Sequence, residues 1–364
     1  MERNLLSIMF LLLAQFIVAN DEVNCFYAVD ATIEGGLRLY DADKGKKATI
    51  HGWNSVGQRI MWTAHLQKGC YKVLLNCSEP YRGSAVALTV GKQQLASLIK
   101  PTGSWSRYEN VELGIIKVEK SGQTEIILQG IQLALKKNEK GKEQYCEALP
   151  DVCFLSLAPT KEKATSQTVD ILQQFRGKRI FDGKTFSGWE GNDGERSMAL
   201  FRIEDGCIVG GRMDKGIFNN EFLRTKKQYG DFELRLKYRM VCSDDSYNGG
   251  VQLRSIPATE KTYEMVGYQA DIISWKLGAL YDEQRRWDFL GTPLGKPNPY
   301  CASDWNEYVI RCEGRRVRIW LNGVQTLDFI EPDENIPMSG HIAVQIHEGK
   351  PCEAWYKDIY LQEL

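Results

Sequence analysis

Residues 249–255, Gly-Gly-Val-Gln-Leu-Arg-Ser, form a strand-like run in which two chemically capable side chains, Gln252 and Arg254, stand two positions apart. The spacing recurs with Gln269 and Asp271 in residues 266–272, and with Gln345 and His347 in residues 342–349. A strand has a side-chain period of two. Each pair therefore projects from one face, while Val251/Leu253, Tyr268/Ala270 and Val344/Ile346 project from the other. An antiparallel sheet with one solvated face gives the same alternation without any site. Such a face is usually built of Lys, Glu and Thr, whereas Gln, Arg, Asp and His are the hydrogen-bonding groups suited to a polyhydroxylated ligand.

Outward from these runs, strand signals dominate. Residues 58–66, 70–77, 85–90, 232–239, 307–314 and 317–323 mix β-branched or aromatic residues with alternation. Gly91-Lys92, Ser121-Gly122, Gly314-Arg315, Asn322-Gly323 and Ser339-Gly340 punctuate them as hairpin turns. No alternation of strands with long amphipathic helices occurs, which argues against a Rossmann or βα-barrel enzyme. The pattern predicts an all-β chain of two β-sandwich, jelly-roll-like domains in series: residues 21–157, a linker at 158–176 with a short helix over 168–175, and residues 177–364.

Length fits two domains, since 364 residues exceed one typical domain and leave each half enough chain for its own core. A formal net charge of -1 supplies neither a field for nucleic acid nor a polybasic membrane patch. Arg3, an apolar run over 5–18 and Ala19 read as a secretory signal peptide, residues 1–19, cleaved after Ala19. That predicts a secreted, extracellular or periplasmic protein with no membrane span after cleavage; an uncleaved anchor is the alternative. Ten cysteines divide five and five between the halves, leaving one thiol over in each or a bridge between them. Cys70 and Cys77 face opposite ways on one strand, and Cys146 with Cys153 is a candidate small loop.

In the first half, Lys68-Gly69-Cys70-Tyr71-Lys72-Val73, Thr102-Gly103-Ser104-Trp105 and a glycine turn before a last strand resemble the family 6 and 35 type of carbohydrate-binding module. Trp53, Trp62, Trp105 and Tyr108 are then candidate sugar-stacking rings, weighed against core filling.

In the second half, Phe181-Asp182-Gly183 with Gly188-Trp189, Tyr229-Gly230-Asp231-Phe232-Glu233, Trp305-Asn306 and Gln345-Ile346-His347 occur in order. This half resembles the 3-keto-disaccharide hydrolase domain family, which implies a concanavalin A-like jelly roll. The resemblance also implies cleavage of a glycoside whose ring carbon 3 is already a ketone, supplied by an upstream sugar oxidoreductase. The ketone acidifies the C2 proton, so a modest base forms an enolate that expels the C1 substituent, and water then adds. Such a site needs a base, a donor to the enolate oxygen and an acid at the leaving oxygen.

On that scheme Arg254 is the expected electrostatic stabiliser, and His347 and Asp271 compete for base and acid, with Glu283 an alternative acid. Gln252, Gln269 and Gln345 would hold hydroxyls, and Tyr281 and Asp282 would close over the ligand. No cofactor is implied. His347, Asp271 and Glu283 are candidate ligands for a divalent metal, although no short motif supports one. A laminarinase-like glycosidase would place Glu-x-Asp-x-x-Glu on one strand, and this chain has no such cluster. A non-catalytic lectin with two sugar-binding sandwiches is the alternative from another class.

Overall fold

The computed structural model describes residues 23–244, 247–292, 294 and 304–364, so the expected signal peptide lies outside the described residues. Two antiparallel sandwiches follow one another along the chain. The first pairs two six-stranded sheets, one centred on Gly69–Ser78 between Asp151–Thr160 and Glu109–Val118, the other on Gly122–Gln132 between Ala85–Val90 and Arg59–Leu66. Alternate residues of both meet in one core that includes Trp62, Leu75, Leu88, Ile126 and Leu155. Cys77 is buried in that core and Cys70, seven residues earlier on the same strand, is only half-buried, as opposite faces require.

The second sandwich stacks an eight-stranded sheet on a seven-stranded one. The seven strands run, edge to edge, Trp189–Gly191, Glu221–Thr225, His341–Ile346, Gly249–Pro257, Met265–Asp271, Leu280–Glu283 and Phe289–Leu290. The three strands with polar pairs are thus immediate neighbours at the sheet's centre. Val251, Leu253, Tyr268, Ala270, Val344 and Ile346 face the core, against Phe232, Tyr238, Tyr308 and Tyr356 of the other sheet. Asn322 and Gly323, both left-handed at φ 48° and 81°, form the tight hairpin between Arg316–Leu321 and Val324–Ile330.

The interdomain segment differs from expectation. Only a 3-10 turn, Ile171–Gln174, forms where a helix was predicted, and Gln167–Thr168 adds to the first domain's sheet beside Gln93 and Gln94. Thr165 Oγ1 and Ser166 Oγ accept from the backbone N–H groups of Ile115 and Lys117, so the edge strand's unpaired donors take up the segment that polarity alone marked as linker.

The two domains also touch through Ala85, Ala87 and Ile131 of the first and Ile330 of the second. Beside that patch the buried Gln132 amide donates to the Ile330 carbonyl at 3.2 Å and accepts from its N–H at 2.9 Å. Gln167 and Gln94 reach across to Glu313 and Arg316.

Cys146 and Cys153 do not join, since they are directed to different backbone carbonyls, Ala134 and Lys46. The disulfide among the described residues is Cys242–Cys352, formed where the two residues stand directly opposite on adjacent antiparallel strands. No helix among the described residues is long and apolar enough to cross a membrane.

Candidate active site on the seven-stranded sheet

The outward face of the seven-stranded sheet is not a solvated face. Gln252 and Gln345 are wholly buried, and Gln269 and Asp271 nearly so. Register sets them in two rows: Phe222, Gln345, Gly250 and Asp271 in one, and Arg224, Ala343, Gln252, Gln269 and Tyr281 in the next. A Cβ on Gly250 would come within 2.3 Å of Gln269 Cδ, so the missing side chain is what lets the Gln269 amide lie across the sheet.

The amides form a directed chain. Ser255 Oγ donates to Gln252 Oε1 at 2.6 Å, Gln252 Nε2 to Gln269 Oε1 at 2.9 Å, and Gln269 Nε2 to Asp271 Oδ1 at 3.0 Å. Each donor fixes the orientation of the next acceptor, and the chain ends on a carboxylate. Gln345 differs, because both of its amide atoms are buried without a hydrogen-bond partner. A buried amide in that state costs stability unless a bound group supplies the missing partners.

Two carboxyls on this face titrate near neutrality. Burial pushes Asp271 up to about 7, while the Gln269 and Ile272 hydrogen bonds and the Lys276 charge pull the other way. Burial pushes Glu283 up to about 8, helped by the nearby charges of Glu264 and Asp271. Glu283 stands opposite Gly267, four strand residues from Asp271, or roughly 13 Å along the backbone. Tyr281 lies between them beside Gln269, its hydroxyl raised to about 12 by burial and the adjacent carboxylates.

Beyond the ends of the three central strands a cavity of about 340 Å³ opens between Asn248, Ser274, Trp275 and His347, with the Cys242–Cys352 disulfide in its wall. His347 continues the outward face two residues beyond Gln345. Its Nδ1 donates to the Glu348 carbonyl at 2.7 Å, which fixes the ring's orientation. Trp275 is 68% exposed. It meets Phe289 edge-on at 5.4 Å, and Phe289 in turn meets Tyr281 at 5.0 Å. Lys276 Nζ lies 3.9 Å from the Phe289 ring centroid. This aromatic rim escaped sequence reasoning. Its signal was the Trp275-Lys276 pair in the loop directly after Asp271.

Two expected site residues lie elsewhere. Arg254 takes a left-handed φ of 51° in a β-bulge that breaks the alternation after Leu253. Its guanidinium turns away from the amides and donates to the carbonyls of Gly230 at 2.7 Å and Gly314 at 2.6 Å, and to Asp231 at 2.7 Å. Ser255 takes the outward position instead. Asp282 faces the core side, opposite Tyr268, and is held by Arg285 at 2.8 Å and by Arg286. Arg286 also bridges to Glu331 at 2.6 Å, so Asp282 belongs to a buried ion network on the core side.

In the first domain Trp53 is core, wedged against the space left by Gly130. Tyr108 is half-buried, and burial raises the pKa of its hydroxyl against a smaller opposing pull from Ser78 and Thr49. Trp62 is buried, donating to the Tyr27 carbonyl at 2.9 Å. Trp105 alone of these rings is exposed, set edge-on to Tyr81 at 6.0 Å. Among the described residues no three His, Cys, Asp or Glu side chains are grouped to hold a metal ion, and His347 stands apart from Asp271 and Glu283 at the cavity mouth.

Solved structures with similar chain paths include a putative glycosyl hydrolase from Parabacteroides distasonis, 18% identical, covering 54% of this chain and 98% of its own at a TM-score of 0.41. The carbohydrate-binding module CBM66 from Bacillus subtilis is 12% identical and covers 48% of this chain and 96% of its own, with a TM-score of 0.38. A family 35 carbohydrate-binding module from Clostridium thermocellum is 17% identical and covers 38% and 99%, with a TM-score of 0.29. No curated protein matches the chain. Residues 177–362, about half of the sequence, match the sequence model of the 3-keto-alpha-glucoside-1,2-lyase-like domain, and the chain belongs to that family.

Proposed function

We propose that this carbohydrate-active protein is a secreted enzyme that cleaves 3-keto-glycosides by elimination followed by water addition. The reading rests on one observation above the others: two buried carboxyls with pKa values near 7 and 8 share a sheet face with a chain of amides. At neutral pH, Asp271 is substantially ionised while Glu283 still holds its proton, which suits one to be base and the other acid.

Asp271 takes the C2 proton, and the electron pair of that bond enters the enolate whose oxygen is on C3. The enolate collapses to restore the ketone, forms a C1–C2 double bond and breaks the C1–O bond, with Glu283 delivering a proton to the departing oxygen. Water then adds its hydroxyl to C1 and a proton to C2. The unpartnered Gln345 amide is the donor suited to the enolate oxygen, the role that sequence reasoning gave to Arg254. Gln252 and Gln269 orient Asp271, and His347 at the cavity mouth contacts a ring hydroxyl. A dehydrogenase that oxidises sugar carbon 3 must act first.

The test is turnover of a 3-keto-glucoside in deuterated water by the mature chain. Cleavage with deuterium at C2 of the product is expected, and cleavage without it, once exchange from product is excluded, removes the enolate route. Tight binding of sugars without turnover of any 3-keto-glycoside would instead favour a lectin, for which the exposed Trp105 beside Tyr81 is the supporting feature.

A further inference from the structure

Phe289 belongs to two surfaces at once. On one side it packs against Tyr281 and Trp275 at the rim of the candidate site. On the other it lines a separate cavity of about 370 Å³, whose far wall comes from the first domain. That wall is a two-stranded hairpin, Leu135–Lys137 paired with Glu143–Tyr145, that stands apart from both sheets of its own sandwich. Leu135, Tyr145, Phe289, Leu290 and Phe329 give the cavity an apolar lining.

Most of the charged groups around it are paired. Arg82 Nε donates to Glu143 at 2.6 Å, and Lys142 pairs with Asp288 at 3.2 Å. The hairpin is anchored across the domain junction as well, since the Tyr145 hydroxyl accepts from the Gly291 N–H at 2.7 Å. Burial holds the Tyr145 hydroxyl proton firmly in place. A cavity with apolar walls and mostly paired ions at its edge selects chiefly by shape and apolar area.

Its position assigns it a place in the reaction. Glu283 ends the strand that pairs with Phe289–Leu290, and Arg286 and Asp288, which also line the cavity, lie on the turn between them. The cavity therefore adjoins the site at its edge strand, beside the turn that follows Glu283. We propose that the pocket between the first domain's hairpin and the Phe289–Leu290 edge strand is a leaving-group subsite for an apolar, ring-shaped aglycone. This rests on the 3-keto-glycoside reading for the name of what leaves, and it makes the first domain a determinant of substrate choice.

Binding and turnover separate the two ideas. Phenyl β-glucoside and methyl β-glucoside, neither oxidised and neither turned over, are titrated against the full chain. The wild type is expected to prefer the phenyl compound about tenfold or more, and Leu135→Trp, which fills the pocket, to bring that preference close to one. The same collapse is expected in the kcat/KM ratio of the two 3-keto-glucosides, with the methyl substrate changed less than about twofold. An unchanged phenyl preference in folded Leu135→Trp overturns the subsite. If Leu135→Trp disturbs the hairpin, photolabelling of the wild type with 4-azidophenyl β-glucoside decides: label on residues 135–145 and 286–290 supports the proposal, and label confined elsewhere overturns it. Absence of turnover with either 3-keto-glucoside would fall on the proposed reaction alone, because the binding preference and the labelling are read without it.

Discussion

Gln269 Nε2 donates to Asp271 Oδ1 at 3.0 Å while its carbonyl oxygen is held by Gln252, so the amide that steadies the carboxylate cannot turn over without breaking both bonds. This contact lowers the Asp271 pKa against the larger upward push of burial. Replacing Gln269 by Leu removes the pull. The acid limb of the kcat/KM profile should move to higher pH by about one unit, with about a tenfold loss at pH 6.5. An unmoved limb would detach Gln269 from the proton chemistry.

The two carboxyls should give a bell-shaped profile. Asp271 works ionised, so activity rises with pH through about 7; Glu283 works protonated, so activity falls above about 8. Because the groups face each other's charge, the limbs belong to the pair. Asp271→Asn should abolish the acid limb and cost about 10²- to 10⁴-fold in kcat. Glu283→Gln should remove the alkaline limb, and should spare a 4-nitrophenyl 3-keto-glucoside, whose leaving group needs no proton.

Stability carries the same signature. Folding raises the Glu283 pKa from 4.5 to about 8, so its contribution is fully present below the ordinary carboxyl pKa and is lost as pH rises toward 8. Wild type minus Glu283→Gln, measured by urea unfolding, should therefore decline from pH 4.5 to pH 8, by an amount on the order of a few kcal/mol. A difference constant with pH would mean that Glu283 ionises normally in the folded state.

Arg254 should behave as a structural residue. Arg254→Ala leaves the Gly230 and Gly314 carbonyls without their donor and should cost about 3 kcal/mol in unfolding free energy. The kcat of the remaining folded enzyme should stay within about threefold of wild type. Full stability with lost kcat would return Arg254 to the chemistry.

The sandwich architecture was legible because period-two patterns and turn dipeptides report directly on strands and hairpins. So was the face shared by Gln252, Gln269, Asp271 and Gln345, since unbroken alternation fixes a face. Arg254 was not, because one residue in a left-handed bulge reverses every later side chain, and Arg254-Ser255 carries no Gly or Pro to announce it. Asp282 and Glu283 are neighbours, so alternation had to send one inward, but sequence could not say which. The aromatic rim depends on Trp275 and Phe289, fourteen positions apart, meeting through a loop and an edge strand.

Gln132 completes a further picture. Its amide copies the donor and acceptor of a strand partner and pairs with both backbone groups of Ile330 in the other domain. Cutting the chain between the sandwiches would bare this pair together with the apolar patch around Ala85 and Ile131. The two sandwiches are thus not interchangeable beads on a string: a recombinant second domain made alone would begin life with a torn seam, and should aggregate or melt earlier than it does when fused to its companion.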